Sequence, residues 1–223
     1  MTARRSLWPA LLAAALVAGP PSAGAADPVA NERLADAIRA GDATAVATAL
    51  DAGADPDHAT VAPVLVLAAT GGDPATVETL LDAGADPDAL DPRGRPALAV
   101  AGAKGHVDVV RLLLASGADV ERREGSPPGR TILQLVIDDA AEPSTAVLDA
   151  LLDAGADVDA EDLRGETALA SAAFMDRYDA AALLLERGAD AHSTNGDGVT
   201  PRQWAERQGN ARIVELLSEA GER

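Results

Sequence analysis

The feature that most constrains the fold of this chain is a decapeptide that recurs along it. Its clearest copy is LLDAGADVDA at residues 151–160. Four related copies and a closing fragment lie at residues 49–58, 80–89, 113–122, 184–193 and 216–221. Their glycines, Gly53, Gly84, Gly117, Gly155, Gly188 and Gly221, are separated by 31, 33, 38, 33 and 33 residues. A period near 33 indicates stacked units that bury their apolar faces only against their neighbours.

Each copy carries the signals of a helix end. The paired leucines close an amphipathic helix, and the glycine that follows can adopt the left-handed conformation that stops it. A residue with a Cβ would cost about 1–2 kcal/mol in that conformation. We therefore expect left-handed backbone at all six glycines, followed by a turn through the Ala-Asp pair.

The residues between the copies predict a helix pair in each unit. A short helix of small residues comes first, and an amphipathic helix follows it. The second helices are predicted at 43–52, 73–83, 107–116, 144–154, 178–187 and 211–220. Asp42 is a candidate cap for the earliest of these, and Thr131 with Gln134 and Thr200 with Gln203 have the spacing of capping boxes.

Several phased segments resemble ankyrin repeats. They include GRPAL with GHVDVVRLLLASGADV at residues 94–120, GETAL with LLERGAD at 165–190, and GVTP with GN at 198–210. The resemblance implies an all-α repeat solenoid of helix-turn-helix pairs linked by projecting hairpin loops, or fingers, and a role in protein binding. About six units, including two caps, are expected at 28–58, 59–91, 92–125, 126–161, 162–194 and 195–223.

The chain departs from the family pattern in three ways. The Thr-Pro-Leu-His tetrapeptide is nowhere intact, since Ala99 and Ala170 replace its histidine. The finger after Gly53 is two residues short. The unit after Gly117 is five residues long, with two extra residues in the finger at 121–130 and three at 138–144. These changes affect the local loops, not the predicted architecture.

Residues 1–25 have the features of a cleavable export signal. Arg4 and Arg5 form a basic start, residues 7–18 form an apolar core, and Ala-Gly-Ala at 23–25 is a small-residue cleavage site. We expect cleavage before Ala26 and a periplasmic or secreted product. Both the general route and a twin-arginine route fit. Because the sequence has no cysteine, neither a lipid-modified cysteine nor a disulfide can form.

The remaining residues, 26–223, are strongly acidic. Without Arg4 and Arg5, 16 basic residues stand against 36 acidic ones, a formal charge of −20. Such a charge repels phosphate backbones and anionic lipid heads, so we expect no nucleic-acid partner and no membrane association. The expected product is a monomer with another protein as its partner.

The acidic turns suggest one alternative chemistry. The pairs Asp55/Asp57, Asp86/Asp88 and Asp157/Asp159 could contribute to a calcium or small-ligand site, but none continues as a calcium-binding loop. The favoured interpretation is that these side chains bind their own turn backbone. His58, His106 and His192 lack a second ligand at metal spacing, and His106 matches a family position that braces the helix turn.

Catalysis and cofactors are not expected. The sequence has neither a nucleophile elbow nor a glycine-rich phosphate loop after a strand. In the ankyrin arrangement, finger tips and first-helix ends line one concave face. The matching candidates for partner binding are Arg93, Arg95, Lys104, Leu163, Arg164, Glu166, Phe174, Met175, Asp197, Arg207 and Gln208. Phe174 is the leading anchor, because interface hot spots favour aromatic residues, although it could instead fill a groove against the next finger.

The sequence is therefore consistent with two candidate functions. The favoured one is an exported protein-protein interaction module, a scaffold or an inhibitor of another exported protein. The alternative is a small-ligand or calcium-binding protein that uses its acidic fingers.

Overall fold

The computed structural model describes residues 27–59, 62–125 and 129–221. The predicted export signal and its cleavage site lie outside these ranges. Within them the chain forms twelve helices and no strand. The helices are α1 (Pro28–Ala40), α2 (Ala43–Asp51), α3 (Val64–Gly71), α4 (Pro74–Asp82), α5 (Ala97–Ala103), α6 (Val107–Ala115), α7 (Ile132–Asp139), α8 (Thr145–Asp153), α9 (Ala168–Phe174), α10 (Tyr178–Glu186), α11 (Pro201–Gln208) and α12 (Ala211–Ala220).

The helices stack in two layers. Each odd-numbered helix packs against the next odd-numbered helix, and each even-numbered helix packs against the next even-numbered one. Within a pair, the two helices also pack on each other, as α1 does on α2. This arrangement confirms the predicted solenoid. No helix among the described residues is long and apolar enough to cross a membrane.

Alanine, valine, leucine and isoleucine side chains build the core. One continuous cluster of buried apolar residues runs from Ala30 to Leu217. The leucine that opens each repeated decapeptide is fully buried at positions 80, 113, 151 and 184. Alanine supplies many of the buried positions in α1, α3, α5 and α9, whereas α7 buries larger aliphatic side chains. Each unit thus completes its core only with help from its neighbours.

The helix starts follow the predicted capping chemistry. The Asp42 carboxylate accepts a hydrogen bond from the Ala45 N–H at 3.0 Å. The capping boxes of α7 and α11 are both formed, with the Thr131 and Thr200 hydroxyls accepting from the N–H groups of Gln134 and Gln203. These bonds satisfy backbone donors that have no partner inside the helix.

The repeated glycines end the even-numbered helices with left-handed backbone, with one exception. Gly53, Gly84, Gly117, Gly155 and Gly188 have φ between 91° and 99°. At Gly221 the prediction was wrong, since its φ is −73°. This glycine caps α12 in a right-handed conformation, and no finger turn follows it among the described residues.

The fingers carry short turns that touch one another through glycine. The Gly125 N–H donates to the Gly94 carbonyl at 3.1 Å, and the Gly196 N–H donates to the Arg164 carbonyl at 2.7 Å. A Cβ at Gly94 would lie 2.9 Å from the Gly125 nitrogen. Such a contact would force the fingers apart. The close approach of the two backbones therefore requires glycine at position 94.

Candidate protein-binding groove

Two adjoining recesses lie between the fingers and the ends of α7, α9 and α11. The first, about 430 Å³, extends from Glu124 and Gly129 to Asp162 and Leu163. The second, about 280 Å³, is bounded by Phe174, Met175 and Trp204. Both recesses are lined by Asp138, Arg164, Glu166 and Ser171. We call the combined surface the finger-side groove.

An aromatic cluster forms one end of the groove. Phe174, the last residue of α9, remains 43% exposed. Its ring meets the ring of Trp204 edge to face, with centroids 5.4 Å apart and an interplanar angle of 88°. The Arg207 guanidinium lies 5.1 Å from the Trp204 ring centroid, within cation-π range. Phe174 therefore packs on a side chain of the neighbouring helix α11 and remains partly exposed to solvent.

A network of ion pairs, called here the ion-pair wall, adjoins the first recess through Glu124, Arg130 and Asp138. Arg95 binds Asp91 and, at 2.9 Å, Asp139 at the end of α7. Arg130 binds Glu124 at 2.9 Å and Asp138 at 3.1 Å. These pairs join the finger of one unit to the helix and finger of the next. They fix the position of Asp138 beside the recesses.

The pKa shifts in this wall reflect the competition between burial and pairing. Burial raises the pKa of Asp138, and the Arg130 guanidinium only partly offsets this effect. Burial would also raise the pKa of Asp91, but hydrogen bonds from Arg95 outweigh it and lower that pKa. For Arg130, its carboxylate partners outweigh burial and raise the pKa. For Asp138, burial thus outweighs the hydrogen bonds from Arg130 and Ser171.

The structure brings only part of the predicted site together. Leu163, Arg164, Glu166, Phe174 and Met175 line the groove, and Leu163 is 66% exposed. Arg207 joins them through Trp204, whereas Arg95 is half-buried in the ion-pair wall. The other candidates are exposed but line neither recess: Arg93, Lys104, Asp197 and Gln208.

Several groove residues were not predicted from the sequence, among them Arg130, Asp138, Ser171 and Trp204. A signal existed for Trp204, since it lies one helical turn before Arg207, the residue that matches Phe174 in the repeat phase. Asp138 and Arg130 lie at the edges of the two insertions. An irregular unit was therefore the sequence signal for the ion-pair wall.

The acidic turns have a structural role that extends beyond their own backbone. The first aspartate of each pair accepts the N–H two residues later, as Asp55 does from Asp57 at 2.9 Å. This confirms the favoured interpretation. The second aspartate accepts the N–H of the first aspartate in the next unit, as Asp57 does from Asp86 at 2.7 Å and Asp88 does from Asp119 at 2.8 Å.

The same hydrogen bonds continue past the irregular unit. Glu121 accepts from the Asp157 N–H, and Asp159 accepts from the Asp190 N–H. The carboxylates thus form a ladder that connects consecutive turns. Over the described ranges, no group of three acidic or histidine side chains is arranged to hold a metal ion.

One histidine braces the preceding unit, as predicted. His106 Nε2 lies 3.3 Å from the Thr70 carbonyl oxygen, a contact that requires a proton on Nε2. Arg177 and Asn210 occupy corresponding positions and donate to the carbonyls of Ala140 and Ala173. The side-chain contact to a backbone carbonyl of the preceding unit is therefore kept although the residue type changes.

Comparison with known proteins establishes the family. The family described as "Ankyrin repeats (3 copies)" matches residues 34–124 and 136–223. The unmatched stretch between them falls in and just after the lengthened finger. The chain belongs to the ankyrin repeat family.

Two known proteins illustrate the sequence similarity. Ankyrin repeat and SOCS box protein 6 from Homo sapiens is 39% identical over 116 residues, which are 47% of this chain and 25% of that protein. The nuclear factor NF-kappa-B p105 subunit from Gallus gallus is 34% identical over 139 residues, 59% of this chain and 13% of that protein. The aligned segments thus span a quarter or less of these relatives.

The fold is also found in solved structures. The crystal structure of the ankyrin repeat domain of Bcl-3 superposes with a TM-score of 0.75 and 28% identity, over 85% of this chain and 86% of that one. Together with the family match, this similarity defines the chain as a protein-protein interaction module.

Proposed function

We propose that this chain is an exported, non-catalytic binding protein that holds another exported protein against its finger-side groove. The observation that carries the proposal is the partly exposed Phe174 ring, held edge to face on Trp204 at the end of a continuous groove. Aromatic residues in such recesses are the usual centres of binding energy. Met175, in the same recess, adds an adaptable apolar surface.

The partner would be held as a scaffold holds a client or as an inhibitor covers a target. Export rests on the sequence of residues 1–25, with its basic start, apolar core and Ala-Gly-Ala site. In this proposal the product is periplasmic or secreted, monomeric when free, and not bound to membrane or nucleic acid. Its strong acidity supports the last two properties.

Capture of the partner tests the binding proposal. Residues 26–223 serve as bait in an extract of the envelope and medium of the producing cells. A partner that uses the groove should be retained by the native chain and lost with Phe174→Ala, because a hot-spot truncation costs about 2 kcal/mol or more. Thr70→Ala, at the matching position of α3, is the control and should retain the partner. Equal capture by all three chains would contradict the groove as the binding site.

Enzyme assays on the captured complex separate the two roles. An inhibitor should lower the catalytic activity of its partner in proportion to the fraction bound, whereas a scaffold should leave that activity unchanged. Export is tested independently by N-terminal sequencing of the mature protein, which should begin at Ala26. A mature protein that begins at Met1 would refute the export proposal.

A further inference from the structure

The finger-side groove also carries information about the chemistry of its partner. We infer that its aromatic recess receives a lysine or arginine side chain from a basic segment of the bound protein. This inference rests on the proposed function and specifies the partner class for the same site. It follows from the groups that line the recess and from the charge of the whole chain.

The side chains of the recess form a typical environment for an organic cation. Phe174 and Trp204 supply aromatic surface, Met175 adds a polarisable thioether, and Asp138 and Glu166 supply carboxylates. A cation gains electrostatic energy over an aromatic face and beside a carboxylate. The recess, at about 280 Å³, has room for the end of a long side chain.

The two carboxylates have spare acceptor capacity. Glu166 has one weak side-chain contact among the described residues, with the Asn195 amide at 3.5 Å. Asp138 accepts hydrogen bonds from Ser171 and from Arg130, and it shares the Arg130 guanidinium with Glu124 and Asp139. Burial has already raised the pKa of Asp138, so a second cation at this position would stabilise its ionised form.

The surrounding charge favours the same partner. Four carboxylates and two arginines line the groove: Glu124, Asp138, Asp162, Glu166, Arg130 and Arg164. Arg164 is exposed and lies at the finger edge, where its long side chain can turn away from a second cation. At long range, the formal charge of −18 on the full sequence steers cationic partners toward the protein.

A random peptide library displayed on phage tests the inference without knowledge of the natural partner. Residues 26–223 are immobilised, bound peptides are selected, and the best peptide is synthesised. We expect the selected peptides to be enriched in Lys or Arg beside an apolar residue. The affinity of the best peptide should fall about ten-fold with Glu166→Gln, which removes one charge-assisted contact.

The matched control is Glu186→Gln. Glu186 is an exposed carboxylate on α10, so this variant changes the net charge equally but outside the groove. It should leave the affinity within about two-fold, because exposed charges at a distance are screened by salt. Thermal melting of both variants confirms that they remain folded.

The outcomes separate this inference from the proposed function. Enrichment of acidic peptides would overturn it, and so would equal weakening by both variants, since cations would then respond only to the overall field. A selection that yields no peptide would also overturn it. In each case Phe174-dependent capture of the natural partner would leave the proposed function standing, whereas loss of that dependence would refute the proposed function itself.

Discussion

The two halves of the stack share one core but present different surfaces on the finger side. In the first half, α1–α6, the odd-numbered helices carry small or polar residues near their C-terminal ends, such as Thr70 in α3 and Ala103 in α5. In the second half, α7–α12, the matching positions carry Phe174 and Arg207. The repeat therefore fixes which positions are buried in every unit. The residue at the exposed C-terminal end of each odd-numbered helix can differ without disturbing the stack.

The electrostatic contacts differ between the halves as well. The ladder of carboxylates that connects consecutive turns is present in both halves. The ion-pair wall begins where the two halves join, at the pair between Arg95 and Asp139. The lengthened unit contributes Glu124, Arg130 and Asp138 to that wall. The lengthened unit thus lies at one end of the finger-side groove.

Removal of residues 199–223 should produce the largest effect and should fall on the second half. The deletion exposes the faces of α9 and α10 that pack on α11 and α12, together with the partners of buried Ile213 and Leu217. Each buried aliphatic side chain contributes about 1.5–3 kcal/mol. The melting temperature should therefore fall by about 10 °C or more, at about 2–4 °C per kcal/mol, or the protein should aggregate.

Removal of residues 221–223 alone is the control for this deletion and should leave the melt unchanged. A monomeric, unchanged melt after removal of residues 199–223 would mean that the last helix pair does not protect the stack. Circular dichroism and size-exclusion chromatography together measure both outcomes.

The same core substitution made in each half tests whether the two halves are packed alike. Leu80→Ala and Leu184→Ala remove the same fully buried side chain from α4 and α10. Each should cost about 2–5 kcal/mol through lost burial and a cavity. Leu163→Ala is the exposed control and should stay within about 0.5 kcal/mol. Urea unfolding measures all three. A difference larger than about 2 kcal/mol between the two core variants would show that the halves are packed differently.

The fold could be predicted because its determinants are local and repeated. The glycine period, the leucine pairs and the capping boxes each specify backbone near their own position in sequence, and six phased copies reinforce one another. Gly221 was mispredicted because the left-handed turn also depends on the finger that follows, and no finger turn follows Gly221 among the described residues.

The groove was only partly predictable for a different reason. Repeat phase places Phe174 and Arg207 at equivalent positions, but contacts between units depend on side-chain direction, which periodicity does not give. The edge-to-face contact between Phe174 and Trp204 joins two different units of the stack. The pairing of Arg130 with Asp138 is local, but it joins a finger residue to the end of α7 through side-chain directions that the repeat pattern does not give. The insertions also break the repeat phase at Arg130 and Asp138.

Phe174→Ala and Thr70→Ala test how far the surfaces of the halves differ. Phe174 is partly buried and contacts Trp204, so its loss should cost about 1–2 kcal/mol, of which the aromatic contact supplies about 0.5–1.5 kcal/mol. Thr70 lies exposed at the matching position, and its replacement should stay within about 0.5 kcal/mol. Both values come from denaturant unfolding. A cost of about 3–5 kcal/mol at Phe174 would identify it as core and end the anchor hypothesis.

The smallest effect should be a pair of opposite pH dependences. In the first half, a hydrogen bond from the Thr76 hydroxyl lowers the pKa of Asp73 below 3.8. In the second half, burial raises the pKa of Asp138 above 3.8. Stabilisation by ionised Asp73 is therefore fully present above pH 3.8 and is lost as the pH falls through its folded-state pKa. For Asp138, the favoured neutral form stabilises the fold fully below pH 3.8, and this stabilisation is lost as the pH rises through the folded-state pKa.

Asp73→Asn and Asp138→Asn separate these two contributions. Asparagine keeps the helix cap at position 73, and at position 138 it resembles the neutral acid. Relative to Asp73→Asn, the native chain should lose unfolding free energy on acidification below pH 3.8. Relative to Asp138→Asn, it should lose unfolding free energy as the pH rises above 3.8. Urea unfolding across this range gives both slopes. If the unfolding free energy changed with pH in the same direction for both positions, Arg130 would fully offset the effect of burial on Asp138. The Asp138 carboxylate would then have no spare capacity for a partner's cation.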